Sequence, residues 1–260
     1  MNNTAPFGQD YPPPATERGR VEPCPRRVRG YVGPDLVFDT LSARYIWEVP
    51  YYPHYYVPLN DVRTDFLIDE QHPQRAQFGA SRLHSLSAGG RVQQSVARVF
   101  DADGDGIASG YVRFEWDCLE WFEEDERIYE HPRSPYARLD ALRSHRHVRV
   151  EIDGVVVADT HSPVLLFETG LPTRYYIDRT DVAMQYLVPS ETQTVCPYKG
   201  STSAYWSVRV GEAVHADLAW MYQYPLGAVS RIAGLIAFYN EKVDIEVDGV
   251  RLARPVTHMS

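Results

Sequence analysis

"RRVRGYVGPDLVFDTLSARYIWEVPYYPHYYVPLNDV" at residues 26–62 and "RHVRVEIDGVVVADTHSPVLLFETGLPTRYYIDRTDV" at 146–182 align at an offset of 120, without a gap. Twelve of the 37 positions are identical; at average residue usage, unrelated segments would share about two or three. Val28 matches Val148, Asp39-Thr40 matches Asp159-Thr160, and Glu48 matches Glu168. Tyr55-Tyr56 matches Tyr175-Tyr176, and Asp61-Val62 matches Asp181-Val182. The chain is a tandem duplication, and a repeat of this kind governs every later structural assignment.

Each copy carries the signature of strands. Val148, Val150 and Ile152 alternate, Asp153-Gly154 supplies a two-residue turn, and Val155 and Val157 resume the alternation; this is a hairpin pattern. Val243, Ile245 and Val247 before Asp248-Gly249 repeat it near the C-terminus. The runs "RYIWE" and "VLLFE" are mostly apolar, which fits strands covered on both faces. Helices are expected to be short: one after Asp61 and one after Asp181, each acid an N-cap. A third opens at Pro225 and turns into a strand near Leu235. The fold class is mainly β, as α+β with few short helices, in two duplicated small domains of twisted antiparallel sheet. The expected division is a disordered tail over 1–25, an N-terminal β domain over 26–145 and a C-terminal β domain over 146–260. The first domain includes an acidic segment, 114–144, with no match in the alignment; it is expected to carry one helix.

A net charge of −9 argues against a nucleic-acid backbone as partner, because phosphate binding needs a basic face. Three scattered cysteines make no disulfide framework, and no CxxC pair suggests a thiolate metal site. No apolar run reaches membrane-spanning length and no secretory signal opens the chain, so a soluble cytoplasmic protein is expected.

The segments "VVVADTHSPVLLFETGLPTRYYI", "CPYKGSTSAYWSV" and "AWMYQYPLGAVSRIAGLIAFY" resemble domain-of-unknown-function family 427. The resemblance covers roughly residues 146–250, and its Cys-Pro-Tyr-Lys-Gly element is specific. The first copy is similar to a divergent second member, as in longer two-domain members of the family. The resemblance implies a compact, mainly β domain. The label "nucleotidyltransferase-like" that the family sometimes carries does not imply that reaction here, because a label is weaker than a site.

The Cys-Pro-Tyr-Lys-Gly segment at 196–200 is the candidate site. A cation near a thiol activates it, and Lys199 lies three residues beyond Cys196; a buried, packing cysteine is the alternative. Cys196 and Lys199 are the candidate catalytic pair. Tyr176, Tyr198, Trp206, Asp181 and Tyr56 are the candidate ligand-binding residues. Lys199 is expected to point into a cleft without a strong ion pair, holding an anionic or carbonyl group of a small molecule. The first copy lacks the element, and His84 is expected near the position of Cys196. "DADGDG" at 101–106 lacks a carboxylate at the twelfth loop position, where Val112 stands, and reads as a polar hairpin loop. The acids at 123–126 read as a solvated turn or a strap pairing with Arg138 and Arg143. No metal and no cofactor is assigned. No phosphate-binding glycine loop, nucleophile elbow or His-Glu-x-x-His appears. A small-molecule-binding protein acting on its ligand through Cys196 and Lys199 is one reading; a non-catalytic assembly module is the other.

Overall fold

The computed structural model of the protein describes residues 16–256, which fall into two compact units divided between Ser134 and Pro135. The first unit contains β1 (Val21–Pro23), β2 (Val28–Val32), β3 (Asp35–Thr40), β4 (Arg44–Ile46), β5 (His54–Pro58), β6 (Leu67–Ala76), β7 (Gly79–Ala88), β8 (Arg91–Phe100), β9 (Tyr111–Phe114), β10 (Glu120–Glu123) and β11 (Glu126–Ile128). The second contains β12 (Leu139–Arg143), β13 (Val148–Ile152), β14 (Val155–Thr160), β15 (Val164–Glu168), β16 (Leu171–Ile177), β17 (Leu187–Ser190), β18 (Val195–Cys196), β19 (Gly200–Ser201), β20 (Ala204–Val210), β21 (Ala213–Met221), β22 (Ile236–Phe238), β23 (Asp244–Val247) and β24 (Val250–Arg251).

The first unit has a seven-stranded sheet, β1-β4-β5-β9-β8-β7-β6, and a four-stranded sheet, β11-β10-β2-β3. The second has β12-β15-β16-β22-β21-β20-β17 and β24-β23-β13-β14. Replacing each strand by its counterpart converts one order into the other, and the pairings are antiparallel throughout. The exception is the small β18-β19 ribbon, which has no equivalent in the first unit. The duplication expected from sequence is therefore present at the level of topology.

Alternation places one face of each long sheet against the short sheet. Val28, Phe38, Tyr55, Leu86, Val112 and Trp121 share one buried cluster in the first unit; Val148, Val157, Tyr175, Val208, Trp206 and Ile245 do so in the second. The opposite face of each long sheet carries a second buried cluster, around Tyr56 in one unit and Tyr176 in the other. Successive residues of a strand point to opposite faces, so each Tyr-Tyr pair serves both clusters. Asp153 (φ 49°) and Gly154 (φ 76°) form the left-handed turn that joins β13 to β14, as a two-residue hairpin requires.

The segments expected as helices at 61 and 181 are 3₁₀ turns instead, and no α-helix occurs among the described residues. A single pair of apolar residues four apart cannot offset helix nucleation. The aspartates have another use. The buried Thr40 and Thr160 hydroxyls donate to Asp61 and Asp181, at 2.6 and 2.5 Å, and clip each turn to its sheet. Val62 and Val182 add matching single bridges to Phe38 and Ala158. Gly227–Ile232 is likewise 3₁₀, and passes into strand β22 as the sequence suggests.

The acidic segment does not carry a helix. Glu120–Glu123 and Glu126–Ile128 form a hairpin that closes the first copy, the counterpart of β23 and β24. Glu124 takes the same positive φ (49°) as Asp248 (51°). Glu123 is buried and accepts from Arg26, Arg133 and Tyr55, not from Arg138 or Arg143. The segment 101–110 joins the antiparallel neighbours β8 and β9 as a polar loop. Residues 1–15 of the expected tail lie outside the described residues. Within 16–25, Val21–Pro23 pairs with Arg44–Ile46 and Cys24 is buried, so this part is structured. Leu139–Arg143 pairs with Val164–Glu168, which puts it in the second unit and not with the first domain.

Asp181→Ala leaves the buried Thr160 hydroxyl without its acceptor. The expected loss is about 1–3 kcal/mol of stability, the cost of an unsatisfied buried polar group, read from urea unfolding. Thr160→Val combined with Asp181→Ala should recover part of it. An unchanged midpoint in Asp181→Ala would show that the clip carries no weight.

Candidate functional site

One row of side chains crosses the long sheet of the second unit. The register runs Val164, Tyr176, Ala237, Trp220, Tyr205, all on the face away from the short sheet. The equivalent row in the first unit is Arg44, Tyr56, Arg113, Arg98, Leu83. Two arginines of the first unit are thus replaced by Ala237 and Trp220.

The replacement matters to a neighbouring glutamate. Glu48 in the first unit accepts from the Arg113 Nε and from the Tyr56 hydroxyl, both at 3.0 Å. Glu168 occupies the same position at the end of β15, but the counterpart of Arg113 is Ala237, which has no charge to offer. The cation comes instead from the loop between β17 and β20. There the Lys199 N–H donates to the Cys196 carbonyl at 3.3 Å, closing a four-residue turn with Pro197 in its second place, the position a fixed proline φ favours. Gly200 follows at φ 94°, open to glycine and strained for other residues. Three bonds between Thr194 and Thr202, and one from the Leu226 N–H to the Lys199 carbonyl, hold the loop down. The Lys199 ammonium then reaches Glu168 at 2.5 Å, with side chains only 13% and 9% exposed.

Lys199 therefore makes the strong ion pair that its sequence position did not suggest. Burial opposes its charge, but Glu168, with Cys196 and Tyr176 close by, overrides burial and raises the ammonium pKa above the usual lysine value. The pair holds it as a cation.

Tyr176 is fully buried beside this pair. Burial pushes its hydroxyl up to about 12, against the pull of Lys199 and the Trp220 side chain. Its oxygen is buried without a well-formed hydrogen bond, whereas that of Tyr56 donates to Glu48. Tyr222, also buried, is raised by burial and then by Tyr176 and Cys196. Its counterpart is Phe100, and Phe78 packs against Tyr56 where the second unit has the inserted loop. Around Tyr56 the first unit sets Phe78 and Phe100 beside the Glu48–Arg113 pair; the second unit's cluster holds a lysine, a glutamate, a half-buried thiol and two tyrosine hydroxyls.

Other expected site residues fall elsewhere. Trp206 points into the core between the sheets, and its neighbour Tyr205 is the one on the Tyr176 face; the two-residue period of the strand decides between them. Asp181 is engaged by Thr160. Tyr56 belongs to the first unit, its hydroxyl taken by Glu48. Tyr198 is half-buried at the loop's turn. His84 pairs with Ala97 as Trp206 pairs with Ala219, so His84 is the counterpart of Trp206 and not of Cys196. The residues missed from sequence are Glu168, Tyr205 and Tyr222. Identity of Glu48 and Glu168 between otherwise divergent strands was the available signal.

Lys199→Met leaves Glu168 buried and uncompensated. The expected cost is about 3–5 kcal/mol, as for other broken buried pairs, and Lys199→Met with Glu168→Leu should recover most of it. Chemical unfolding of the two variants checks this; a loss below about 1 kcal/mol for the single variant would mean the pair is effectively solvated.

Residues 20–123 and 140–249 each match the sequence pattern of one known family. The matched segments take in β1 and β12 at their starts, so each spans a near-complete copy of the fold. No curated protein matches the chain. The chain belongs to the family described as Domain of unknown function (DUF427), and carries it in two tandem copies.

Proposed function

We propose that the second unit is a small-molecule-binding domain whose ligand enters at the 196–200 loop. The observation that carries this reading is the Tyr176 hydroxyl, buried without a well-formed hydrogen bond beside Lys199. A buried hydroxyl with incomplete hydrogen bonding is costly, and uptake of a ligand atom or water is one way a folded domain accounts for such a group. The first unit has the same tyrosine with its hydroxyl satisfied. Lys199 is already neutralised by Glu168, so a neutral acceptor such as a carbonyl suits the site better than a free anion. Cys196, half-buried at the loop, is the group placed to act on a bound carbonyl if the domain is an enzyme.

The second reading is a non-catalytic assembly module in which the loop is architecture. The Lys199–Glu168 pair and the buried Pro197 favour it, since both tie the loop to the fold. A soluble cytoplasmic setting is part of the proposal. It is supported by three unpaired cysteines, and no helix among the described residues is long and apolar enough to cross a membrane. The charge of −9 supports a partner other than nucleic acid.

Tyr176→Phe separates the readings. Removing a hydroxyl that makes no well-formed hydrogen bond should leave the melting temperature unchanged or raise it. A thermal-shift panel of small carbonyl compounds should yield at least one that stabilises the native chain by mass action and loses its effect in Tyr176→Phe. No stabilising compound, or an equal shift in both proteins, overturns the binding reading. The thiols give an independent check. Cys24 and Cys118 are each 3% exposed, and burial raises both thiols, that of Cys118 to about 12. Iodoacetamide at neutral pH should label Cys196 first, and labelling of Cys196 only on unfolding would assign it to packing.

A further inference from the structure

Away from the Lys199 cluster, strand pairing gathers three donors that sequence spacing keeps apart. His147 precedes β13, Asp159 lies on β14 and His161 follows it. One ligand atom from each lies within 4.8 Å of the other two. The His147 Nε2 is 2.7 Å from the Asp159 Oδ1, and the two imidazoles lie 4.1 Å apart, nearly parallel. Arg149 Nε lies 3.4 Å from the other Asp159 oxygen, but its guanidinium is shared with Glu151 at 3.3 Å and Glu246 at 3.8 Å.

The first unit shows what this corner looks like without histidines. Arg27, Asp39 and Leu41 stand at the equivalent positions, and the Arg27 guanidinium takes both oxygens of Asp39. The second unit replaces the guanidinium by an imidazole and the leucine by a second imidazole. An arginine–carboxylate pair is enough to hold this corner in the first unit, so hairpin stability does not require His161, which is solvent-exposed.

We propose that His147, Asp159 and His161 bind a divalent ion of the zinc class. Two imidazoles and one carboxylate suit zinc, with water in the remaining position. Zinc–nitrogen bonds of about 2.0–2.1 Å place tetrahedral ligands roughly 3.3 Å apart. To reach that spacing the exposed His161 side chain would rotate inward and the 2.7 Å His147–Asp159 contact would open, the ion replacing its hydrogen bond.

Calorimetric titration of the full chain with zinc chloride tests this, with cobalt(II) absorption reporting the coordination. One equivalent should bind, and His161→Leu should weaken it by more than about tenfold, a loss that even an outer partner of a ligand produces. His147→Arg installs the first unit's residue and should keep the fold while abolishing binding. Cys196→Ser should leave it unchanged. No binding, binding retained in both histidine variants, or binding lost in Cys196→Ser overturns the proposal.

Discussion

A glutamate placed at the same strand end in both units needs a positive charge, and each unit supplies that charge from a different part of the chain. An isolated carboxylate in a poorly solvated site is costly unless paired. In the first unit Arg113 reaches Glu48 from within the sheet. In the second, position 237 is alanine, so the cation must come from outside the sheet, and the 191–203 loop delivers Lys199. Much of what distinguishes the second unit follows from this. The loop must be long enough to fold back over Tyr176, which brings Cys196 and Tyr222 into electrostatic range of the pair. The hydroxyl of Tyr176, no longer bonded to the glutamate, is left facing the new charge.

The duplication was legible because it preserves residues that make tertiary contacts. Asp61 and Asp181 receive threonine hydroxyls, and the Tyr-Tyr pairs serve both faces of a sheet. The closing hairpin of the first copy was illegible for a physical reason. Its inward position 123 holds a glutamate where the second copy has Val247. A charged residue there breaks the apolar alternation that marks a strand, and only the contacts with Arg26, Arg133 and Tyr55 make it tolerable. The Lys199 loop was legible as a special segment, but its ion pair was not. Glu168 lies 31 residues away, and the loss of the arginine that would otherwise hold it shows only after the two sheets are placed in register.

The two copies have diverged in opposite senses at two places. Around the tyrosines the first unit sets Phe78 and Phe100 beside Glu48 and Arg113, while the second sets Tyr222 and the Lys199 loop beside Glu168. At the corner of the short sheet the first unit keeps a closed arginine–aspartate pair, while the second presents imidazoles. In each case the first unit pairs its carboxylate with an arginine, Glu48 with Arg113 and Asp39 with Arg27.

The pairing of β12 with β15 bears on how the second copy can exist alone. Leu139–Arg143 covers the outer side of Val164–Glu168, the strand that ends in the site glutamate. A fragment begun at residue 146, where the sequence identity starts, would strip that strand away. The backbone N–H and C=O groups of an apolar strand would then line an open edge, a template for another chain to add to. Such a fragment is poised to aggregate through the strand that carries Glu168, whereas one begun at Pro135 keeps that strand paired and leaves at the edge the short Leu139–Arg143, which carries Asp140 and Arg143. The covering strand is thus a solubility element as well as a structural one, and the first copy keeps the same protection with Val21–Pro23.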